Sequence, residues 1–294
     1  MDKKKKKIIY NIALALLVMI AVGSGGSIIF RMRAQQKNDA ALAALGNIVS
    51  DSSEDMAIQS GSDEKHGSSP EENGENVVTP EAALHFRKER LSGYMKLTEE
   101  NPDVAGWVSI PDTKIDYPVM QTPAAPDYYL KHNFDREKSA YGVPYAAEDC
   151  DLGRSSNVII YGHHMKNGSM FAALAGYTDE EFYKKHSWFW FDTLEETGLY
   201  QIIGVCTASA AGSDQLFGMA RIQNEQEYDD YVREIKHRSF YDTGITATWG
   251  EPLVTLMTCE YTTREGRLFV VGKKHQNDGE RETYESNGTE KVKE

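Results

Sequence analysis

Two positions late in the chain carry the first chemical signal. Cys259 closes the apolar run PLVTLMTC, and Arg267 opens the next run, RLFVVGKK. A thiol reacts as its thiolate and needs a base or positive surroundings to do so. If the two runs are strands joined by the short loop 260–266, they pair antiparallel and Arg267 returns beside the thiol. A guanidinium there favours the thiolate and can donate to a developing oxyanion. Arg264 sits in the loop itself and is less rigidly placed, so Arg267 is preferred. Cys259 alone says little, since free cysteine is among the most buried residue types.

A base is offered by NVIIYGHHMKNGSMF, residues 157–171. The apolar strand ends at Gly162, and His163 and His164 follow at once. Successive side chains on an extended segment point to opposite faces, so only one of the two can face the thiol. For the same reason adjacent histidines rarely chelate one ion. No Cys or His pair elsewhere has zinc-ligand spacing, so neither a metal nor another cofactor is expected. Base, thiol and cation, each at a strand terminus, together point to cysteine acyl transfer.

These groups need a scaffold of strands. GWVSI, IDYPVMQ, NVIIYG, LYQIIGVCTAS, PLVTLMTC and RLFVVGKK are short runs rich in β-branched and aromatic residues, spaced by Gly, Pro, Asp and Asn. The pattern predicts a mainly β barrel or sandwich. A helix is expected from Thr79-Pro80 to the break at Asn101-Pro102, with Thr79 as cap and Leu84, Leu91, Tyr94 and Met95 roughly on one face. SMFAALAGY at 169–177 reads as a short helix. Residues 224–238 read as an amphipathic one, with Tyr228, Tyr231, Val232 and Ile235 on one side.

The chain has 294 residues and a net charge of −13. That balance argues against nucleic acid as a partner, since phosphate binding needs a basic face. Charge is uneven along the chain: residues 1–36 carry a net +6 and residues 37–80 a net −7. MDKKKKK precedes residues 8–30, which hold no charged side chain. As a helix this segment spans roughly 34 Å, enough for a bilayer core of about 30 Å. A cleaved signal peptide is the alternative. Lysines before the segment and arginines after it keep the N-terminus inside and put the rest outside the cell. Residues 31–80 read as a disordered acidic linker, with a short helix at 40–49. The tail 277–294 is polar. Three cysteines do not make a disulfide framework, so Cys150 and Cys206 are read as reduced packing residues.

TLMTC resembles the TLxTC signature of sortases, the cysteine transpeptidases of Gram-positive cell surfaces. YGHHMKNGSMF resembles the sortase histidine segment, and the arginine follows the signature at the family's distance. NPDVAGWVSIPDTKIDYPVMQ and YYLKHNFDREKSAYGVPY are also similar to sortase segments, so the resemblance covers about residues 82–275. The two longer helices resemble the additions of class B. The resemblance implies an eight-stranded β-barrel over 81–276, with an N-terminal helix and a helix before the cysteine strand. It implies Cys259 as nucleophile, His163 (the histidine directly after Gly) as base, and Arg267 as oxyanion and substrate-binding arginine. It further implies the Glu260 backbone N–H as second oxyanion donor, Thr258 as a strand support lining the groove, and Leu130 as part of an apolar wall. The partners it implies are precursors with an NPxTN-like or (S/N)PxTG-like motif, cleaved after Thr, and a cell-wall peptide amine on a lipid-linked precursor. Tyr261 stands where some class B members carry an acid. An anchored cysteine hydrolase and a non-catalytic surface module are the alternatives.

Overall fold

The computed structural model describes residues 32–50, 80–210, 214–260 and 266–275. The chain divides into two compact units, Met1–Leu45 and Gly46–Glu294. Residues 32–50 are helical (α1), so the helix expected at 40–49 belongs to a longer one. Among the described residues no helix is long and apolar enough to cross a membrane. The apolar segment 8–30 lies outside them, as do Thr79, Tyr261, Arg264 and the tail 277–294.

The second unit is a closed eight-stranded barrel, in the order β1-β2-β3-β4-β7-β8-β6-β5. Its strands are β1 Val104–Ser109, β2 Asp116–Met120, β3 Tyr145–Ala146, β4 Asn157–Tyr161, β5 Trp188–Thr193, β6 Leu199–Ser209, β7 Leu253–Glu260 and β8 Gly266–Lys274. The helices are α2 Pro80–Glu100, α3 Glu180–Lys185, α4 Leu216–Met219 and α5 Glu225–Arg238. On α2, Tyr94 and Leu97 are buried and Leu91 is half-buried, whereas Met95 is exposed, so Met95 does not belong to the apolar face the spacing suggested. The stretch expected to be helical at 169–177 is a 3₁₀ helix, Phe171–Thr178. Neither β3 nor β5 shows in the sequence pattern. β5 reads WFWFDT with no polar alternation, because both its faces are covered. Its buried Asp192 accepts hydrogen bonds from Tyr94 Oη at 2.7 Å and the Gly198 N–H at 3.2 Å.

Most neighbours pair antiparallel, but β2 and β3 meet in parallel at Met120↔Tyr145, and β4 and β7 run parallel from Asn157↔Leu253 to Tyr161↔Met257. β7 then pairs antiparallel with β8, and β8 with β6. Because strand side chains alternate, each strand has a face inside the barrel and one outside. Leu253 and Met257 on β7, Ile159 on β4, Phe269 and Val271 on β8, and Cys206 on β6 share one cluster with α4 and α5. This is the outer face, which carries a second apolar core. Val158, Ile160, Val254, Leu256, Leu268 and Val270 alternate with them, are equally buried, and fill the interior.

Helix α5 covers the outer face because its sequence caps it and gives it one apolar stripe. The Asn224 side chain accepts from the Glu227 N–H, and the Glu227 carboxylate accepts from the Gln223 N–H. Acids sit in its first turn and Lys236, His237 and Arg238 in its last, matching the helix dipole. Tyr228, Tyr231, Val232 and Ile235 are the buried stripe. A polar relay crosses this core. Tyr231 Oη lies 2.9 Å from Thr255 Oγ1, which donates to Asn157 Oδ1 at 2.9 Å. Asn157 Nδ2 donates to the Ala220 carbonyl at 2.8 Å. The relay joins β4, β7, α5 and the end of α4, and all three side chains are buried.

Replacing Asn157 strips partners from Thr255 and from the Ala220 carbonyl without admitting water. Asn157→Ala should therefore destabilise the domain by about 1–3 kcal/mol. A lower urea midpoint at unchanged denaturant slope is the expected reading.

Candidate active site

Cys259 and Arg267 are direct cross-strand partners in the β7–β8 pair. Cys259 is two residues beyond Met257 and Arg267 two residues before Phe269, so alternation puts both on the outer face. Met257 and Phe269 are buried, whereas Cys259 and Arg267 are half-buried. Cys259 and Arg267 thus leave the same face as cross-strand neighbours where the helical cover ends. Arg267 Nη1 donates to the Gly266 carbonyl at 3.0 Å, which folds the side chain back over its own strand. β7 continues through Glu260, which pairs with Gly266. In that hydrogen-bonded pair the Glu260 N–H donates to the Gly266 carbonyl, so it is taken up by the ladder and does not stand open as the expected second oxyanion donor.

The histidine arrives on the neighbouring strand. The parallel ladder runs one residue past β4, through the Gly162 N–H to the Met257 carbonyl at 3.0 Å. Asn157, Ile159 and Tyr161 are on the outer face, so alternation assigns His163 to it as well, beside Cys259 in register. His163 Nε2 lies 2.7 Å from the Leu130 carbonyl. A carbonyl only accepts, so Nε2 carries a proton, and in the neutral ring Nδ1 is the basic atom.

The Leu130 carbonyl is itself fixed. Leu130 ends the 3₁₀ turn Tyr128–Leu130. Tyr129 anchors that turn, donating from Oη to Asp103 at 2.7 Å and accepting from Asn101 Nδ2 at 2.8 Å. Gly142 packs against the turn at φ 60°, and a Cβ there would lie 2.5 Å from the Tyr129 carbonyl and 3.0 Å from that of Leu130. Only glycine fits both the backbone conformation and the space. Leu130, expected as an apolar wall, thus meets the site through a main-chain oxygen. No residue-type signal marks such an acceptor.

His164 does not share the face of His163. Its Nδ1 lies 3.1 Å from the Cys259 carbonyl, in the plane of the sheet. Thr258 differs from expectation too. Period-two alternation turns it to the opposite face from Cys259, and it is 2% exposed, so it does not line the groove. Its Oγ1 donates to the Gly162 carbonyl at 2.7 Å, tying the nucleophile strand to the histidine strand. Gly162 is a tight point: a Cβ there would lie 2.5 Å from the Phe171 ring.

The other two thiols are free and lie elsewhere. Cys206 is fully buried, and burial pushes its thiol up to about 12. Burial also raises the Cys150 thiol, which points at the Asn157 carbonyl at 3.7 Å. Burial pushes the Tyr161 hydroxyl, two residues before His163, up to about 12 against the lowering effect of Arg221. Among the described residues no cluster of His, Cys, Asp and Glu could hold a metal ion.

A half-exposed thiol beside a guanidinium, with an imidazole on the adjacent strand, can form and attack with a thiolate. Comparison with known proteins agrees with that chemistry. A family model for the sortase domain matches residues 108–275. Sortase B of Listeria monocytogenes is 31% identical over 214 residues, covering 71% of this chain and 85% of that protein. The crystal structure of sortase B from Bacillus anthracis superposes with a TM-score of 0.62 at 28% identity, over 84% of this chain and all of that one. A Staphylococcus aureus sortase B–substrate complex gives a TM-score of 0.58 at 26% identity, over 66% of this chain and 91% of that one. With its closed barrel and its cysteine, histidine and arginine on adjoining strands, the chain belongs to the sortase family, as a class B cysteine transpeptidase.

Proposed function

We propose that this enzyme anchors surface proteins by cutting a C-terminal sorting motif, NPxTN-like or (S/N)PxTG-like, after Thr and joining the new end to a cell-wall peptide amine. The observation that carries the residue roles is the cross-strand pairing of Cys259 with Arg267, with His163 following two residues after the last β4–β7 pair, Tyr161↔Met257, at the same end of the sheet. The Cys259 thiol gives its proton to His163 Nδ1, the thiolate attacks the Thr carbonyl carbon, an S–C bond forms, and the carbonyl electron pair moves onto oxygen. Arg267 stabilises that oxyanion. As the tetrahedral centre collapses, the C–N bond breaks and the leaving amine takes a proton from His163. With Nε2 held by Leu130, Nδ1 is the atom that hands the proton over. The acceptor amine then attacks the thioester, gives its proton back to His163, and expels the thiolate.

The substrate complex of the Staphylococcus aureus relative supports a peptide substrate, and a sortase B solved with a triglycine peptide supports an amine acceptor. For location, we take residues 8–30 as a membrane anchor with the catalytic unit outside the cell. That topology brings the site to membrane-inserted precursors and to lipid-linked wall precursor.

Incubation of the purified chain with quenched NPxTN and (S/N)PxTG peptides tests these roles. Cys259→Ala and His163→Ala should abolish cleavage, and retained turnover in Cys259→Ala would sink the mechanism. Arg267→Ala should lose about 10²- to 10³-fold in kcat, the usual effect of removing an oxyanion donor. Product analysis separates transfer from hydrolysis. Adding a wall-peptide amine should convert the hydrolysed product into the amine adduct in proportion to amine concentration. Persistent hydrolysis at high amine would instead identify a hydrolase.

A further inference from the structure

His163 is held at one ring nitrogen by a main-chain oxygen, so whatever holds that oxygen acts on the reaction through it. We propose that Tyr145 is a positioning residue for His163: through the Asp127 carboxylate it fixes the turn Tyr128–Leu130, whose last carbonyl sets the tautomer and the plane of the imidazole. This rests on the proposed role of His163 as the base.

Tyr145 stands between the two parts that must stay in register. On one side it is the cross-strand partner of Tyr161, two residues before His163. Direct partners share a face, and the two ring centroids lie 5.3 Å apart. On the other side its Oη donates to Asp127 Oδ1 at 2.6 Å. Asp127 opens the turn, and its carbonyl accepts from the Leu130 N–H at 3.1 Å. The path from Tyr161 through Tyr145 and Asp127 to Leu130 closes on the Leu130–His163 hydrogen bond at 2.7 Å. A closed ring of contacts fixes the distance between the imidazole and its acceptor.

The turn needs that hold. It has three residues, and its hydrogen bonds, 3.1 Å to the Asp127 carbonyl and 3.3 Å to that of Tyr128, show the looser geometry of a 3₁₀ helix. Asp127 has φ 58° and ψ 15°, a left-handed conformation that a non-glycine residue keeps only where its surroundings impose it. Asp127 is exposed, so burial does not impose it. The Tyr145 hydroxyl does, through a bond as short as those made to carboxylates. Tyr145 is buried, and burial followed by the Asp127 carboxylate raises its hydroxyl pKa, so it remains a donor. Tyr129 grips the middle of the turn, and a single grip leaves rotation about it. The second grip, at the residue that opens the turn, removes that freedom. If the turn rotates, the Leu130 carbonyl leaves the ring plane and Nε2 loses its acceptor. The neutral ring is then free to carry its proton on Nδ1, where no lone pair is left to take the thiol proton.

The test uses the full chain, a sorting peptide that it cleaves, and the nitrogen NMR spectrum of the histidine rings at a pH where they are neutral. The His163 signals are assigned by their loss in His163→Ala. Cleavage by Cys259→Ala or His163→Ala would overturn the catalytic reading itself, separately from Tyr145, since the ring spectrum needs no turnover. Tyr145→Phe removes the hydroxyl and leaves the ring against Tyr161. It should lower kcat by roughly tenfold, short of the about 10²-fold cost of a group misplaced by about 1 Å. KM should stay within about twofold. The His163 ring should pass from one tautomer, protonated at Nε2, to a mixture of two. Asp127→Asn keeps an oxygen for Tyr145 and tolerates the left-handed backbone, so it should retain most of kcat. Asp127→Gly tolerates the backbone without the oxygen and should match Tyr145→Phe. Asp127→Gly combined with Tyr145→Phe should lose no more than either alone. An unchanged kcat in Tyr145→Phe overturns the proposal. So does a fall in kcat with the single Nε2–H tautomer retained, a loss seen in KM alone, or an Asp127→Asn variant as slow as Asp127→Gly.

Discussion

The parallel pairing of β4 with β7 is the constraint on which the site depends. Two strands running the same way release their C-terminal ends at the same rim of the barrel. The chain therefore delivers His163 and Cys259 to one place, although nearly a hundred residues separate them. An antiparallel pair would have put them at opposite rims. Parallel neighbours cannot be joined by a tight turn and need a long crossover. Here the crossover from Tyr161 to Leu253 holds β5, β6 and helices α3 to α5. The topology that aligns base and nucleophile thus also supplies the residues that cover the outer face.

That cover is graded along the strands, and the gradient locates the chemistry. On β7, Leu253, Thr255 and Met257 are buried while Cys259 is half-buried. On β4, Asn157 and Ile159 are buried while Tyr161 is half-buried, and on β8 the order is Val271, Phe269, then Arg267. Each of these three strands is dry at one end of this face and open at the other. The reactive groups lie at the boundary, reachable by a peptide yet backed by apolar wall. A charge developing there is screened less than in water, which strengthens its attraction to a nearby guanidinium. The gradient has a cost at the dry end, where Asn157 and Thr255 are buried polar groups. The relay from Tyr231 to the Ala220 carbonyl offsets that cost by giving each of them a partner.

Much of this was legible because the signals are residue types at fixed spacings. The cysteine, the arginine and the histidine pair were found by type. Six strands were found by their β-branched and aromatic runs, and α5 by its stripe. β3 was out of reach, since a two-residue strand has no period. β5 was missed because burial on both faces removes the alternation that marks a strand. The Leu130 carbonyl was invisible for a different reason: any residue supplies a main-chain oxygen, and only the fold selects this one. Gly142 gave a faint cue, but its meaning depends on the turn that packs against it. Thr258 supports the cysteine strand as expected, but its inward side chain keeps it off the groove. Counting by twos from Cys259 turns it inward, a parity the sequence itself carries.

The adjacent histidines show how one strand end can serve two directions at once. Alternation forbids both rings from the same face, which by sequence alone makes one of them surplus. But β4 has ended at Tyr161, and the chain beyond Gly162 is free to leave the ladder. The Gly162 carbonyl already shows the departure, since it accepts from the Thr258 hydroxyl. The backbone can then turn so that His163 keeps the outer face while His164 enters the sheet plane and meets the Cys259 carbonyl. Glycine at 162 is required by packing, because a Cβ would strike the Phe171 ring against it. The two imidazoles therefore meet the same cysteine from different sides, one at the side-chain face and one at the main chain. Their roles are not interchangeable, because no rotation of either ring reaches the position of the other without undoing the β4–β7 register.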